Sequence, residues 1–272
     1  MLFESHVLAL DDAAEFAQET RESFSAALES SGRGSEDSSS RSDPVISVVV
    51  PFLNEMDNLS ALEERLIPVL EPLGAFEVIF VDDGSTDQSA EVVLEMRQQN
   101  ASIKLLRLSR NFGHQAALSA GMDHARGSCV VLMDADLQDP PELLPELLAK
   151  WREGYEVVYA VRKKRKESIP KRVAYRSFYR LLRAIAEIEI PLDAGDFCVM
   201  DRRVVEAIIG LPERTRFLRG LRTWVGFRQT AVPYDRPARR AGEAKYSARK
   251  LMKLALDGLF TLSSAPLRVA TY

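Results

Sequence analysis

The sequence predicts an α/β protein built on a mostly parallel sheet with helices on both faces. Three observations predict it. Short runs of β-branched and apolar residues alternate with stretches whose leucines recur at helical spacing. The runs are apolar at nearly every position, as strands buried on both faces of a parallel sheet must be. Polar clusters follow several of the runs, and a doubly wound sheet binds its ligands beyond the carboxyl ends of its strands.

The elements follow in order from Pro44. Val45-Ile46-Ser47-Val48-Val49-Val50-Pro51 reads as the first strand, and 57–70 as a helix carrying Leu59, Leu62, Leu66 and Leu70. Phe76–Val81 is a second strand, broken by the turn Asp82-Asp83-Gly84-Ser85-Thr86-Asp87, which supplies capping residues for a helix over 87–99. Ile103–Leu108 is a third strand and 114–125 a helix. Residues 129–133 form a fourth strand, 141–151 a helix and Glu156–Val161 a fifth strand. Asp193-Ala194-Gly195-Asp196-Phe197 is expected to turn back under the strand ends before a short strand over 197–200. This regular alternation implies right-handed crossovers.

Both ends look like appendages. Residues 1–43 form an acidic extension whose 30–43 stretch is polar and low in complexity, as a disordered linker is. Residues 247–262 are largely apolar but carry Arg249, Lys250 and Lys253. That composition suits either an interfacial helix on an anionic membrane or packing on the domain. The domain itself is expected over 44–246, with 247–272 as a juxtamembrane helix. The start is acidic and lacks a signal peptide's apolar core, and no apolar run is long enough to span a bilayer.

The net charge of −4 conceals a division. Residues 1–149 carry 9 basic and 27 acidic side chains, and the rest of the chain carries 27 and 13. A basic half points to an anionic partner such as phosphate or acidic lipid. Nucleic acid is disfavoured, because the basic residues lack interleaved aromatics and a known module. The two cysteines, Cys129 and Cys198, make no disulfide scaffold and fit a reducing compartment. There is no G-x-G-x-x-G after the first strand, no phosphate-cradling P-loop and no G-x-S-x-G. His6, His114 and His124 are too scattered for a zinc site.

The stretch Val130-Val131-Leu132-Met133-Asp134-Ala135-Asp136-Leu137-Gln138-Asp139-Pro140-Pro141 carries the sharpest chemistry. In an extended backbone, residues i and i+2 point the same way, so Asp134 and Asp136 would share a side, with Gln138 beyond them. Two carboxylates and an amide oxygen suit Mg²⁺ or Mn²⁺. The plain alternative is a solvated strand end. Asp139, just before Pro140 and Pro141, reads as a helix N-cap.

Three motifs together resemble family 2 glycosyltransferases of the GT-A fold. They are Val50-Pro51-Phe52-Leu53-Asn54-Glu55, Val81-Asp82-Asp83-Gly84-Ser85-Thr86-Asp87 and Asp134-Ala135-Asp136-Leu137-Gln138-Asp139. Arg107–Gln115 and Asp193–Phe197 add similarity to the polyprenyl-phosphate branch, which includes bactoprenol glucosyltransferases and dolichyl-phosphate mannose synthases. The match runs from about residue 45 to 265. The resemblance implies that Pro51, Asn54, Glu55, Asp82 and Asp83 hold the donor's nucleoside. Asp134, Asp136 and Gln138 would hold Mg²⁺ or Mn²⁺ on its diphosphate. Arg162, Arg172 and Arg176 would grip the acceptor phosphate, although position 176 departs from the small hydroxyl residue usual in mannose synthases. Arg240 and Lys245, in a loop that closes over the donor, would reach the diphosphate.

Asp196 is the candidate catalytic carboxylate, with Asp193 second. It would deprotonate or orient the acceptor, or position the sugar; an acceptor phosphate with a second pKa of about 6 has little need of a base. The implied reaction is an inverting, metal-dependent transfer of glucose from UDP-glucose to polyprenyl phosphate at the cytoplasmic face of the cell membrane. The alternatives are GDP-mannose with a dolichyl-type acceptor, and a non-catalytic module that binds nucleotide sugar or lipid. Relatives of this branch often self-associate and usually continue into transmembrane helices; the resemblance therefore leaves a homo-oligomer open, and either a sequence cut before those helices or a soluble form.

Overall fold

The computed structural model describes residues 45–163, 194–212 and 216–235. The chain alternates through β1 (Ile46–Phe52), α1 (Met56–Leu70), β2 (Phe76–Asp82), α2 (Ser89–Gln99), β3 (Ile103–Arg107), α3 (His114–His124) and β4 (Cys129–Leu132). It continues through α4 (Leu144–Arg152), β5 (Val157–Arg162), β6 (Ala194–Asp201), α5 (Arg202–Ile209), α6 (Leu218–Trp224) and β7 (Gln229–Tyr234). The helix expected over 141–151 begins as a 3₁₀ turn, Pro141–Leu143, before α4.

The strands form one seven-stranded sheet in the order β3-β2-β1-β4-β6-β5-β7. All pairings are parallel except those of β6, which is antiparallel to both β4 and β5. The mostly parallel sheet flanked by helices is therefore as expected. Asp196, however, lies on the long strand β6 rather than in a turn before a shorter one. Ala194 pairs with Val161 of β5, and this contact carries Ala194–Phe197 into the strand, a constraint that only the folded sheet supplies.

The reversal of β6 matters for function. Its first residues lie at the edge where β4 and β5 end. The β4–β6 register sets Leu132 opposite Cys198. Asp134 lies two residues past the end of β4 and Asp196 two residues before that pair on β6.

Every residue of β1 is buried, which fits a central parallel strand covered on both faces. On one face, Val48, Val50 and Phe80 pack with leucines of α1 and α4 and with Val93 and Met96 of α2. On the other, Val49, Val81, Leu132 and Cys198 pack with Ala117, Leu118 and Met122 of α3 and with residues of α5 and α6. Helix α3 lies close to the sheet because Gly121 lacks a side chain: a Cβ there would stand 2.2 Å from Val49 Cγ1. Glu77 is buried below the other end of the sheet. It accepts from Ser47 Oγ at 2.6 Å and Arg126 N at 2.7 Å and pairs with Lys104.

Candidate active site

The loops after β1 and β2 are knitted together. Asn54 sits at a φ of 51°, in the left-handed region that Asn tolerates better than most residues. From there its Oδ1 accepts from Thr86 N at 2.8 Å, while its own N–H donates to Ser85 Oγ at 3.0 Å. Glu55 N donates to Ser89 Oγ at 2.9 Å, and Glu55 Oε2 accepts from Asn58 Nδ2 at 2.6 Å. Pro51 lies within β1, opposite Val81 of β2.

Asp82 and Asp83 are both buried. Asp82 Oδ1 accepts from Ser85 N at 2.7 Å, and its Oδ2 lies 3.3 Å from Arg107 Nε. Asp83 Oδ1 accepts from Phe112 N at 2.8 Å and its Oδ2 from Gly113 N at 3.0 Å. These acids thus shape the loop leading to α3, a task the motif alone does not reveal. Gly84 permits the approach: at a φ of 79° it is left-handed, and a Cβ would meet the Arg110 and Asn111 backbone at 2.7 Å.

Strand β4 ends at Leu132, and the chain turns at Ala135–Asp136. Leu137 takes a φ of 61°. The extended spacing expected through Asp136 and Gln138 therefore gives way to a turn in which Asp136 Oδ1 accepts from Gln138 N at 3.1 Å. Asp136 is buried, whereas Asp134 is about one-third exposed at 33%.

Asp139 corrects the expectation of a helix cap. Pro140 holds the capping position of the 3₁₀ turn, without a side-chain cap bond. Asp139 is instead buried, and its Oδ2 accepts from Asp134 N at 3.1 Å. Its Oδ1 accepts from Tyr234 Oη at 3.2 Å. A carboxylate before two prolines looks like a cap, but a buried donor at the end of β7 takes it inward.

Asp134, just past β4, and Asp196, on β6, are bridged by the first residue of α3. His114 Nε2 stands 3.5 Å from Asp134 Oδ1 and 3.4 Å from Asp196 Oδ2. Burial pushes the imidazole toward neutrality, but the bond to Asp196 and the charge of Asp134 outweigh it and lift the pKa to about 9. Arg219 of α6 grips Asp196 by both oxygens, Nε to Oδ1 at 2.7 Å and Nη2 to Oδ2 at 3.0 Å. Burial works to raise the Asp196 pKa, yet Arg219 and then His114 hold it well below the usual carboxylate range.

Among the described residues, the structure thus gathers Asp134, His114, Asp196, Gln115 and Arg219 at one edge. The sequence motifs assign no individual role to Arg219 or Gln115. An arginine in Leu-Arg-Gly-Leu-Arg reads as an ordinary helix residue, and only its partner 23 positions away distinguishes it. Arg162 ends β5 on the same side of the sheet, and its Nε is buried without a hydrogen-bond partner among the described residues. Asp193, Arg172, Arg176, Arg240 and Lys245 lie outside the described residues, as do the extension 1–43 and the helix expected over 247–262.

The chemistry of Asp134, Asp136 and Gln138 fits a hard divalent cation, because all three offer oxygen. Among the described residues no group of three or more His, Cys, Asp or Glu side chains gathers to hold a metal ion.

Comparison with known proteins identifies the family. Residues 47–209 match the family described as glycosyl transferase family 2. The chain is 51% identical over 229 residues to an uncharacterized glycosyltransferase of Synechocystis sp., covering 84% of this chain and 72% of that one. It is 40% identical over 230 residues to the bactoprenol glucosyl transferase of Shigella phage SfV, covering 84% and 75%. In structure it resembles glucosyl-3-phosphoglycerate synthase of Mycobacterium tuberculosis, solved with Mn²⁺, UDP-glucose and glycerol 3-phosphate. That likeness has a TM-score of 0.54 at 20% identity and covers 79% of this chain and 77% of the other.

Proposed function

Because the chain belongs to glycosyl transferase family 2, we propose that this glycosyltransferase moves glucose from UDP-glucose to the phosphate of a long-chain polyprenol at the cytoplasmic face of the membrane. The observation that carries the reading is the Asp134–His114–Asp196 line. It joins an acid beside the donor motifs to an acid on the strand bordering β5, from which the basic half begins. One side suits a diphosphate leaving group and the other a phosphate nucleophile. The similarity to bactoprenol glucosyl transferases supports the choice of sugar and lipid.

In the proposed reaction an oxygen of the acceptor phosphate forms a bond to C1 of the sugar. The bond from C1 to the diphosphate oxygen breaks, and the configuration at C1 inverts. Pro51, Asn54, Glu55, Asp82 and Asp83 form the nucleoside side of the site. Asp134, Asp136 and Gln138 would hold Mg²⁺ or Mn²⁺, which supplies neutralisation of the charge developing on the departing diphosphate. Arg240 and Lys245, outside the described residues, would add positive charge there.

Arg162 and, beyond the described residues, Arg172 and Arg176 would receive the acceptor phosphate. The buried Nε–H of Arg162 supports this, since a buried N–H without an acceptor is costly and phosphate suits an arginine side chain. Asp196 orients the acceptor rather than deprotonating it. A carboxylate held so firmly ionised is a weak base, and a phosphate near neutral pH is already anionic.

The test is incubation of the protein with labelled UDP-glucose, GDP-mannose and related donors, polyprenyl phosphate vesicles and Mn²⁺. Labelled lipid from UDP-glucose is the expected result. Transfer from GDP-mannose alone would refute the glucose assignment. Donor binding without any labelled lipid would leave a binding module in its place.

A further inference from the structure

Asp196 is held from two helices. Arg219 of α6 meets both of its oxygens, and His114 and Gln115 of α3 approach Oδ2 alone, each at 3.4 Å. A single contact leaves a carboxylate free to rotate about its last bond. A two-point fork fixes its plane. His114 stands almost equally near Asp134, so by itself it does not direct Asp196.

The fork is itself tied down. Gln115 Oε1 accepts from Leu218 N at 3.0 Å, the residue that begins α6 and precedes Arg219. The same side chain donates through Nε2 to Asp196 Oδ2. One amide therefore joins α3, α6 and β6, and it sets how far Arg219 stands from the strand.

We propose that Arg219 is a positioning residue of the transfer reaction and that Gln115 sets its place. Together they fix the direction in which Asp196 presents its carboxylate to the acceptor. The inference rests on the reading of Asp196 as the acceptor-side acid. It explains why an arginine stands at position 219. A lysine would supply the charge but not the planar pair of donors. The Arg219 side chain is one-third exposed, so the pair is not a sealed ion pair of the core.

The test uses the full chain and the variants Arg219→Gln, Arg219→Lys and Gln115→Leu. Each is first checked for a wild-type circular dichroism spectrum and melt. Misplacing a reacting group by an ångström costs about 10²-fold in rate. Arg219→Gln should therefore lose about that factor in kcat, with the donor KM within about threefold of wild type. Arg219→Lys should recover part of the loss, and Gln115→Leu should show a smaller one with the same split. Combined with Asp196→Asn, the Arg219→Gln loss should shrink, because both changes disable one device.

Unchanged kcat in Arg219→Gln would overturn the proposal, and so would a full additional loss in the Asp196→Asn background. If Arg219→Gln unfolds, the comparison passes to Arg219→Lys and Gln115→Leu, where unchanged kcat in both would overturn it. A wild-type chain that transfers from no donor would instead overturn the functional reading beneath it.

Discussion

Asp139→Asn should loosen the loop after β4 without touching the hydrophobic core. The buried carboxylate accepts from Asp134 N and Tyr234 Oη. A hydrogen bond to a charged group contributes about 1.5–3 kcal/mol. Asparagine keeps one acceptor oxygen and turns an NH₂ toward the other donor, so one bond is lost and one donor is left facing another. The expected cost is about 2–3 kcal/mol. At roughly 2–4 °C per kcal/mol for a chain near this size, melting should fall by about 4–12 °C.

Urea and thermal denaturation would measure that loss, and calorimetric titration of UDP with Mn²⁺ would report the loop itself. The donor site should weaken as well, since Asp139 holds the backbone of Asp134. A double-mutant cycle with Tyr234→Phe should give a coupling of about 0.5–3 kcal/mol. The reasoning fails if Asp139→Asn melts within 1 °C of wild type, or if the two substitutions add without coupling.

Gly121→Ala should destabilise the protein, although alanine normally favours a helix by about 0.5–1 kcal/mol. Its Cβ would stand 2.2 Å from Val49 Cγ1 in the core, and overpacking of that kind costs about 1–3 kcal/mol. A raised midpoint in urea would contradict this. Burial pushes Glu77 up, but Lys104, Ser47 and Arg126 N hold its pKa below the usual 4.5. Its stabilisation is therefore present above about pH 4.5 and is lost as pH falls through the lower folded value. Glu77→Gln should flatten the acid limb of stability against pH, and an unaltered limb would assign that limb to other acids. Asp136→Ala should remove Mn²⁺-dependent donor binding while leaving the melting temperature within about 3 °C, and retained metal-dependent binding would exclude Asp136 as a ligand.

The strands and most helices were legible because burial on both sheet faces writes itself into the chain as continuous apolar runs. Val45–Val50 and Phe76–Val81 are such runs, and both became central strands. The polar clusters after them were legible for the same reason, since they interrupt the pattern. What could not be read was anything set by distant partners. The direction of β6 depends on where the chain re-enters the sheet after residue 163, so Asp196 was expected in a turn. Asp139 looked like a cap because its true partner, Tyr234, is 95 positions away. The Asp134–Ala135–Asp136 spacing suggested one shared face, but the backbone turns before the second acid. Arg219 carried no signal at all, since a helix surface accepts arginine anywhere.

The place of β6 also dictates an order of events during synthesis. β5 is made first, yet in the finished sheet its neighbours are β6 and β7, both of which come later. The ribosome must add about 40 residues after Arg162 before β6 is complete, a delay of about 2–8 s at 5–20 residues per second. Throughout that interval the apolar segment Val-Val-Tyr-Ala-Val lacks both of its pairing partners, and an unpaired apolar edge is a template for pairing with another chain. Arg162-Lys163-Lys164-Arg165-Lys166 follows it directly. Like charges of that density make two such strands repel before they can zip together. The run proposed to begin the phosphate side of the finished enzyme thus also sets a dense positive charge beside the last strand made before that wait.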